Sequence, residues 1–366
     1  MKISVITVCL NSEATIEQTI KSVMKQKDEE VEYIIIDGGS TDRTRMILDK
    51  YKDGIDVMVS EPDQGIYDAM NKGISLAKGE IIGIINSDDW YESDALKNVR
   101  QCFYRSDADV VYGKLNLINE NGEEKLMIPT DINKLRFEME VPHATAFIRK
   151  DIYEKCGLFS LEYRIAADYE LMLRFYTSGV SFVFIDEVLA NFRLGGISNR
   201  QSELCACETM RISQKYLPCY PPEERDYVEH VMDMKWGPFC FRKLLDEYPD
   251  CILDYVKQRQ TEETKTELAI FGAGQWGRDM YRILWGGGLR IPFWVDNNKQ
   301  LWRQAREGTE ISSPEVLRSF NGVVLIMARG FSTELLSQIK EMNNQETVCV
   351  TWEEMVNDLK DHVFSG

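Results

Sequence analysis

The chain of 366 residues is 44% hydrophobic and 28% charged, an ordinary globular composition with length enough for two domains. Its formal net charge of −17 argues against a nucleic-acid binder and against simple electrostatic attachment to anionic lipid. Nine scattered cysteines without a C-x-x-C pair support neither structural zinc nor a disulfide framework, and read as reduced thiols.

No apolar run reaches the ~18–20 residues of a membrane-spanning helix. The opening MKISVITVCLNSE lacks the long apolar region of a signal peptide and reads as a strand over residues 3–8. That strand runs into Cys9-Leu10-Asn11-Ser12, and Ile16, Ile20 and Val23 then recur at helical spacing. A second strand over 31–36 ends in Asp37-Gly38-Gly39-Ser40-Thr41-Asp42, turn glycines followed by an N-cap for a helix over 43–51. A third strand over 55–59, a loop over 61–65 and a helix over 66–78 follow, with Asp68, Asn71 and Lys72 near the helix start.

Residues 81–85 (IIGII) read as a strand buried on both faces, and the polarity flips at once to Asn86-Ser87-Asp88-Asp89. Two adjacent carboxylates repel, and are useful where a cation or sugar hydroxyls take up their charge. An Asp-rich turn that caps the next helix is the plain alternative. The alternation βαβαβαβ predicts an α/β fold with a doubly wound, mostly parallel sheet. Polar loops at three strand ends describe a nucleotide crevice.

SVITVCLN, YIIIDGGSTD, EPDQGIYDAMNKGI and AKGEIIGIINSDDW, in this order and spacing, resemble family 2 glycosyltransferases of GT-A fold from residue 3 to about residue 200. The resemblance implies a nucleotide diphosphate sugar donor, with UDP as the favoured nucleotide, and transfer with inversion. It implies that Thr7 and Asn11 lie beneath the nucleotide, Asp37 contacts base or ribose, and Asp42 and Lys72 belong to the same pocket. Asp88 would hold ribose hydroxyls, and Asp89 a Mn2+ or Mg2+ ion that neutralises the departing diphosphate. The family often has aspartate where Asn86 stands, and tyrosine or a similar residue at Leu10, so this chain offers fewer charged ligands.

Beyond the acidic pair, a helix over 94–103, a strand over 108–117 and an Asn-Gly turn over 119–124 are predicted. His143 reads either as a hydrogen-bonded histidine at a strand edge or, by resemblance, as part of the donor pocket without a proton to transfer. Asp168 and Glu170 stand just before an amphipathic helix. Asp168 is either an early-turn acid that complements the helix dipole or, as the resemblance implies, the general base for the acceptor hydroxyl. A strand over 180–185 leads to a Gly-rich stretch over 191–198, a candidate lid, where Arg193 either reaches a phosphate or pairs with a surface acid.

Residues 203–262 read as a helical linker, with helical pieces over 226–234, 239–248 and 252–256 and a segment WGPFCFRKLL suited to a domain interface or a membrane surface. Residues 263–366 read as a small Rossmann-like domain, with Gly272-Ala273-Gly274-Gln275-Trp276-Gly277 after a strand and Asp296 about 20 residues on. It resembles accessory domains of bacterial sugar-processing enzymes. The expected organisation is therefore a GT-A domain over 1–202, the linker, and the accessory domain.

The acceptor implied is a glycan or lipid-linked hydroxyl in cell-surface polysaccharide synthesis. The implied location is the cytoplasm, with peripheral contact at the inner membrane face. Two rivals stay open: an NAD(P)-dependent sugar-modifying enzyme that works through the C-terminal motif, and a GT-A module without turnover. A nucleotidyltransferase would open on a basic Gly-rich loop, which Cys9-Leu10-Asn11-Ser12 is not.

Overall fold

The structure, a computed structural model, describes residues 1–196, 200–342 and 347–364. The chain divides into two compact units, Met1–Val228 and Glu229–Gly366.

In the first unit β1 (Ile3–Cys9) leads to α1 (Ile16–Met24), β2 (Val31–Asp37) to α2 (Thr44–Lys50), and β3 (Val57–Ser60) to α3 (Ile66–Leu76), before β4 (Ile81–Asn86). These strands run parallel in the order β3-β2-β1-β4. Cys9 pairs with Asp37 and Val8 with Asn86, so the exits of β1, β2 and β4 share one edge. The unbroken apolar runs of these strands follow from cover on both faces. Ile6, Ile34, Ile82 and Ile84 pack toward Tyr67, Met70 and Ile74 of α3. Their neighbours Val5, Ile35, Ile81 and Ile85 pack with Ile16, Ile20 and Val23 of α1, as the two-residue period of a strand demands.

The sheet continues through β5 (Trp90–Tyr91), α4 (Ala95–Arg105), β6 (Val110–Ile118), β7 (Glu124–Met127), β8 (Phe147–Arg149), α5 (Lys150–Cys156), α6 (Ala167–Thr177) and β9 (Phe182–Arg193). Beyond β4 it runs β8-β6-β9-β5, with β8 antiparallel to β4 and β9 parallel to β6. The Asn-Gly turn forms as predicted: Asn119 Oδ1 accepts from the amides of Asn121 (3.0 Å) and Glu123 (2.9 Å), and β7 folds back on β6. The candidate lid is placed differently. Strand β9 runs on to Arg193, because 191–193 continue the ladder with β6 and Asn191 also pairs with Trp90. Ile197 and Ser198 lie outside the described residues.

Helix α7 (Ser202–Tyr216) closes the first unit, and the boundary between units falls inside α8 (Pro222–Glu247). The separate helical pieces expected over 226–248 are one helix that passes through Gly237 and Pro238. The second unit adds α9 (Pro249–Glu262), β10 (Glu267–Phe271), α10 (Gln275–Gly286), β11 (Phe293–Val295), β12 (Ala305–Arg306), β13 (Thr309–Ser312), β14 (Gly322–Ile326), α11 (Ser332–Met342), β15 (Val348–Thr351), α12 (Trp352–Asp358) and α13 (Lys360–Phe364). Its sheet order is β12-β13-β11-β10-β14-β15.

Phe241, from the WGPFCFRKLL segment, is buried against Trp276 (4.9 Å between centroids) and Trp352 (5.9 Å), so part of that segment's apolar surface is internal to this unit. Among the described residues no helix is long and apolar enough to cross a membrane. At the Gly-rich turn Gly272 has φ +112°, and a Cβ on Gly277 would stand 1.9 Å from the Gly272 carbonyl oxygen. The motif here is a packing device that seats α10 on β10.

Candidate active site

The exits of β1 and β2 are stitched together by side chains. Asn11 takes φ 50°, a left-handed conformation that asparagine tolerates. Its Oδ1 accepts from the Thr41 amide at 2.9 Å, and its own amide donates to Ser40 Oγ at 2.8 Å. Asp42 accepts from the amides of Glu13 (3.1 Å) and Thr44 (2.9 Å). Asp37 is fully buried: Ser40 donates to its Oδ1 through its amide (3.1 Å) and hydroxyl (2.5 Å), and Ser60 Oγ donates to Oδ2 at 2.6 Å. Asp63 lies over Gly38, where a Cβ would stand 2.4 Å from Asp63 Oδ2. Thr7 is placed in the core, its hydroxyl 3.2 Å from that of Tyr33. Lys72 anchors the loop before α3, paired with Glu61 (3.1 Å) and Asp68 (3.4 Å) and donating to the Pro62 carbonyl (3.2 Å).

The exit of β4 joins this cluster through Ser12 and Ser87, whose hydroxyls are 2.8 Å apart. Asp88 lines a cavity of about 610 Å³ together with Thr15, Asn119, Glu120, Arg193 and Arg200. Burial raises its pKa, against the pull of Arg193. Asp89 points inward. Its Oδ1 accepts from the Arg193 amide at 3.0 Å, while its Oδ2 and Asn86 Oδ1 are buried with no hydrogen-bond partner. Burial, then the neighbouring Asp88 charge, hold its pKa well above the usual carboxylate range. The Arg193 guanidinium reaches Gln18 Oε1 (3.0 Å) and the Asp88 carbonyl (3.4 Å) and lies 5.2 Å from the centre of the Trp90 ring.

Asn86, Asp88 and Asp89 are the residues of this turn that would hold a divalent cation, although no cluster of three or more His, Cys, Asp or Glu side chains with that geometry occurs among the described residues. Two carboxylates and an amide oxygen are the hard oxygen donors that Mg2+ or Mn2+ takes. The orphaned oxygens of Asn86 and Asp89 are what a cation would satisfy, and its charge would offset the repulsion between Asp88 and Asp89.

A second group forms at the start of α6. Asp168 lies inside the first turn of that helix rather than ahead of it, as does Glu170. Asp168 Oδ1 accepts from the Tyr169 amide (2.9 Å) and the Tyr67 hydroxyl (3.3 Å). Burial raises its pKa, and His143, these two hydrogen bonds and its own amide oppose the rise. His143 packs edge-on against Phe159 (5.7 Å), and burial lowers its pKa against the opposing pull of Asp168. Glu170 is committed to Arg174 (2.8 Å) and to the Tyr216 hydroxyl (2.5 Å).

Two residues that the sequence did not mark hold this group. The one proton of the Tyr67 hydroxyl is shared between the Ile165 carbonyl, the nearer acceptor, and Asp168 Oδ1 at 3.3 Å. Glu208, on α7, accepts from the amides of Arg164 (2.8 Å), Ile165 (2.9 Å) and Ala166 (2.9 Å), which lead into α6. Tyr67 lay unmarked in the helix expected over 66–78, and Glu208 fell in a stretch read as linker.

In the second unit Asp296 Oδ2 accepts from the Ala273 amide at 2.7 Å and Oδ1 from the Asn298 amide at 2.7 Å. The carboxylate that a dinucleotide ribose needs is therefore already engaged by the Ala273 amide of the Gly-rich loop, which does not favour NAD(P) there.

The fold and this edge place the first unit among α/β enzymes that bind ligands outside the carboxyl ends of a parallel sheet. The family model of glycosyl transferase family 2 matches residues 4–162. A PGL/p-HBAD biosynthesis glycosyltransferase of Mycobacterium tuberculosis is 29% identical over 203 residues, 54% of this chain and 78% of the relative. An uncharacterised glycosyltransferase of the same species is 31% identical over 178 residues, 47% of this chain and 68% of the relative. The mannosyltransferase PcManGT of Pyrobaculum calidifontis, solved with GDP-Man and Mn2+, shares the fold with a TM-score of 0.51 at 15% identity, over 78% of this chain and 86% of that one. The chain belongs to glycosyltransferase family 2 and has the GT-A fold.

Proposed function

We propose that the chain moves a sugar from a nucleotide diphosphate donor, a UDP-sugar, to an acceptor hydroxyl with inversion at the sugar carbon. Asp168 is the base of that reaction, and this half-buried carboxylate beside His143 and Tyr67 is the observation that carries the reading. Its raised pKa makes it a better proton acceptor than an exposed aspartate, and its Oδ2 makes none of the hydrogen bonds that occupy Oδ1. As the acceptor oxygen bonds to the sugar carbon, its proton passes to Asp168, and the bond from sugar to diphosphate oxygen breaks with its electron pair on the diphosphate.

Asp88, on the cavity wall, and Asp89, behind it with a free oxygen, are the residues that would hold Mn2+ or Mg2+. Bound there, the ion supplies positive charge against the departing diphosphate. Arg193 adds a second cation beside Asp88. The acceptor is a glycan or a lipid-linked glycan of the cell surface, met at the membrane by peripheral contact. All residues assigned here lie within 1–202, the catalytic domain of this reading, with 203–262 as helical linker and 263–366 as accessory domain.

Thermal shift of the full chain against UDP, GDP, dTDP, NAD and NADP, with and without Mn2+, tests the reading. A ligand at 100 times its dissociation constant adds about 2.7 kcal/mol. UDP should stabilise only with Mn2+, Asp89→Ala should abolish the shift, and Asp168→Asn should keep it while transfer from the matching UDP-sugar is lost. Stabilisation by NAD or NADP alone, independent of Mn2+ and of Asp89, refutes it.

A further inference from the structure

Tyr67 is the second residue of α3, and 7% of its surface is exposed. Its ring lies nearly parallel to that of Phe159 (5.5 Å, 23°), and Phe159 in turn meets His143 edge-on. The ring is thereby fixed, and its hydroxyl stands between the Ile165 carbonyl and Asp168 Oδ1. Ile165 is thus gripped from both sides, with its amide on Glu208 and its carbonyl on Tyr67. The loop just before α3 carries Asp63 over Gly38 and Lys72's partner Glu61, so the same helix start touches the exit of β2.

We propose that Tyr67 is a positioning residue for the transfer: its hydroxyl fixes the Asp168 carboxylate in the rotamer that accepts the proton, and α3 ties that carboxylate to the loop at the β2 exit. The proposal rests on the reading of Asp168 as the base. The groups that act on Asp168 are Tyr67 from α3, His143 from the turn before β8, Cys205 from α7, and the Tyr169 amide of α6 itself. Among the described residues the Tyr67 hydroxyl is the side-chain donor that reaches the carboxylate, at 3.3 Å and with its proton shared with the Ile165 carbonyl. Tyr67 keeps its own proton throughout, because burial and the adjacent Asp168 hold its pKa well above the ordinary phenol value. The acceptor's proton ends on Asp168.

The variant is Tyr67→Phe, which keeps the ring stack and removes only the hydroxyl. Asp168 is followed in the full chain by the pH titration of its side-chain carboxyl in carbon-13 NMR, its signal assigned by loss in Asp168→Asn. An O–H···O⁻ bond favours the ionised form, so its removal moves the titration to higher pH. With the UDP-sugar that the wild type turns over, kcat should fall about tenfold, the acid limb of its pH profile should move the same way, and KM for the donor should hold. A role in packing alone lowers the melting point and leaves the titration where it was. An unmoved Asp168 titration in Tyr67→Phe overturns the proposal. A wild-type rate in Asp168→Asn overturns the reading of the base beneath it, whatever the titration shows.

Discussion

Glu208 makes a prediction whose size follows from its bonds. Glu208 is 7% exposed and its carboxylate accepts three backbone amides of the loop before α6. Hydrogen bonds to a charged group contribute about 1.5–3 kcal/mol each, and a buried amide left without a partner costs about 1–3 kcal/mol. The Ile165 and Ala166 bonds are buried and the Arg164 bond is only partly so, and the two buried bonds alone mean that Glu208→Ala should destabilise the first unit by about 3–6 kcal/mol. Glu208→Gln keeps one acceptor oxygen, which can serve Ile165 and Ala166 but not Arg164, and should cost about 2–3 kcal/mol. Urea unfolding of the full chain measures both, and hydrogen exchange at Ile165 and Ala166 localises the effect, since each 1.4 kcal/mol is a tenfold change in protection. A loss below 1 kcal/mol in Glu208→Ala, with Ile165 still protected, would show that the loop finds other acceptors and that Glu208 does not hold Asp168 in place.

In the second unit, Gly277→Ala puts a Cβ 1.9 Å from the Gly272 carbonyl oxygen. Helix α10 must lift from β10, and urea unfolding followed by tryptophan fluorescence should show a loss of about 3 kcal/mol. The nucleotide-dependent shift of the first unit should persist, and its disappearance would tie the accessory unit to donor binding. Asp233 has its pKa pushed up to about 6, by burial first and then by Glu229 and Glu353. A carboxyl with a folded pKa above its unfolded value favours the folded state when protonated, so this contribution is lost as pH rises from about 4 through about 6. Asp233→Asn should then raise the melting point at pH 7.5 and leave it nearly unchanged at pH 4, as differential scanning calorimetry of the two proteins would show.

The strands β1, β2 and β4 were legible because burial on both faces demands unbroken apolar runs, and the acidic pair because polarity reverses within one residue at Asn86. Local signals end there. The grip on Asp168 comes from Tyr67, 101 residues away in sequence, and that on its loop from Glu208, 42–44 residues away. Neither distance leaves a mark in a periodic pattern. The start of α6 was placed late because Ala166, its N-cap, carries no capping side chain, and Glu208 supplies the missing acceptor from another helix. The extension of β9 to Arg193 was hidden for a similar reason: its ladders with β6 and β5 are long-range, and the glycines that suggested a loop, Gly195 and Gly196, lie beyond its end. In the second unit the short pairs β12 and β13 have too few residues to show an alternation.

Asp37 and Asp89 are both buried carboxylates at strand exits, and their hydrogen bonds separate them. Asp37 receives donors on both oxygens from Ser40 and Ser60, so its charge is compensated by the protein itself. Asp89 receives one amide, and its other oxygen has none. In the proposed reading, a carboxylate whose oxygens already have donors serves the scaffold, and one with an unpartnered buried oxygen is the candidate for a cation. Asp37→Asn turns one acceptor into a donor against a hydroxyl or amide, and should cost about 1–3 kcal/mol while leaving the Mn2+-dependent nucleotide shift in place. Asp89→Asn removes the carboxylate that burial makes costly to ionise, should leave the metal-free protein as stable or more stable above the unfolded aspartate pKa of about 4, and should abolish that shift. Melting curves of both variants, with UDP and with UDP plus Mn2+, decide the matter. If Asp37→Asn abolishes the shift at unchanged stability, hydrogen-bond satisfaction does not distinguish scaffold from ligand-binding carboxylates at this edge, and Asp37 contacts the nucleotide directly.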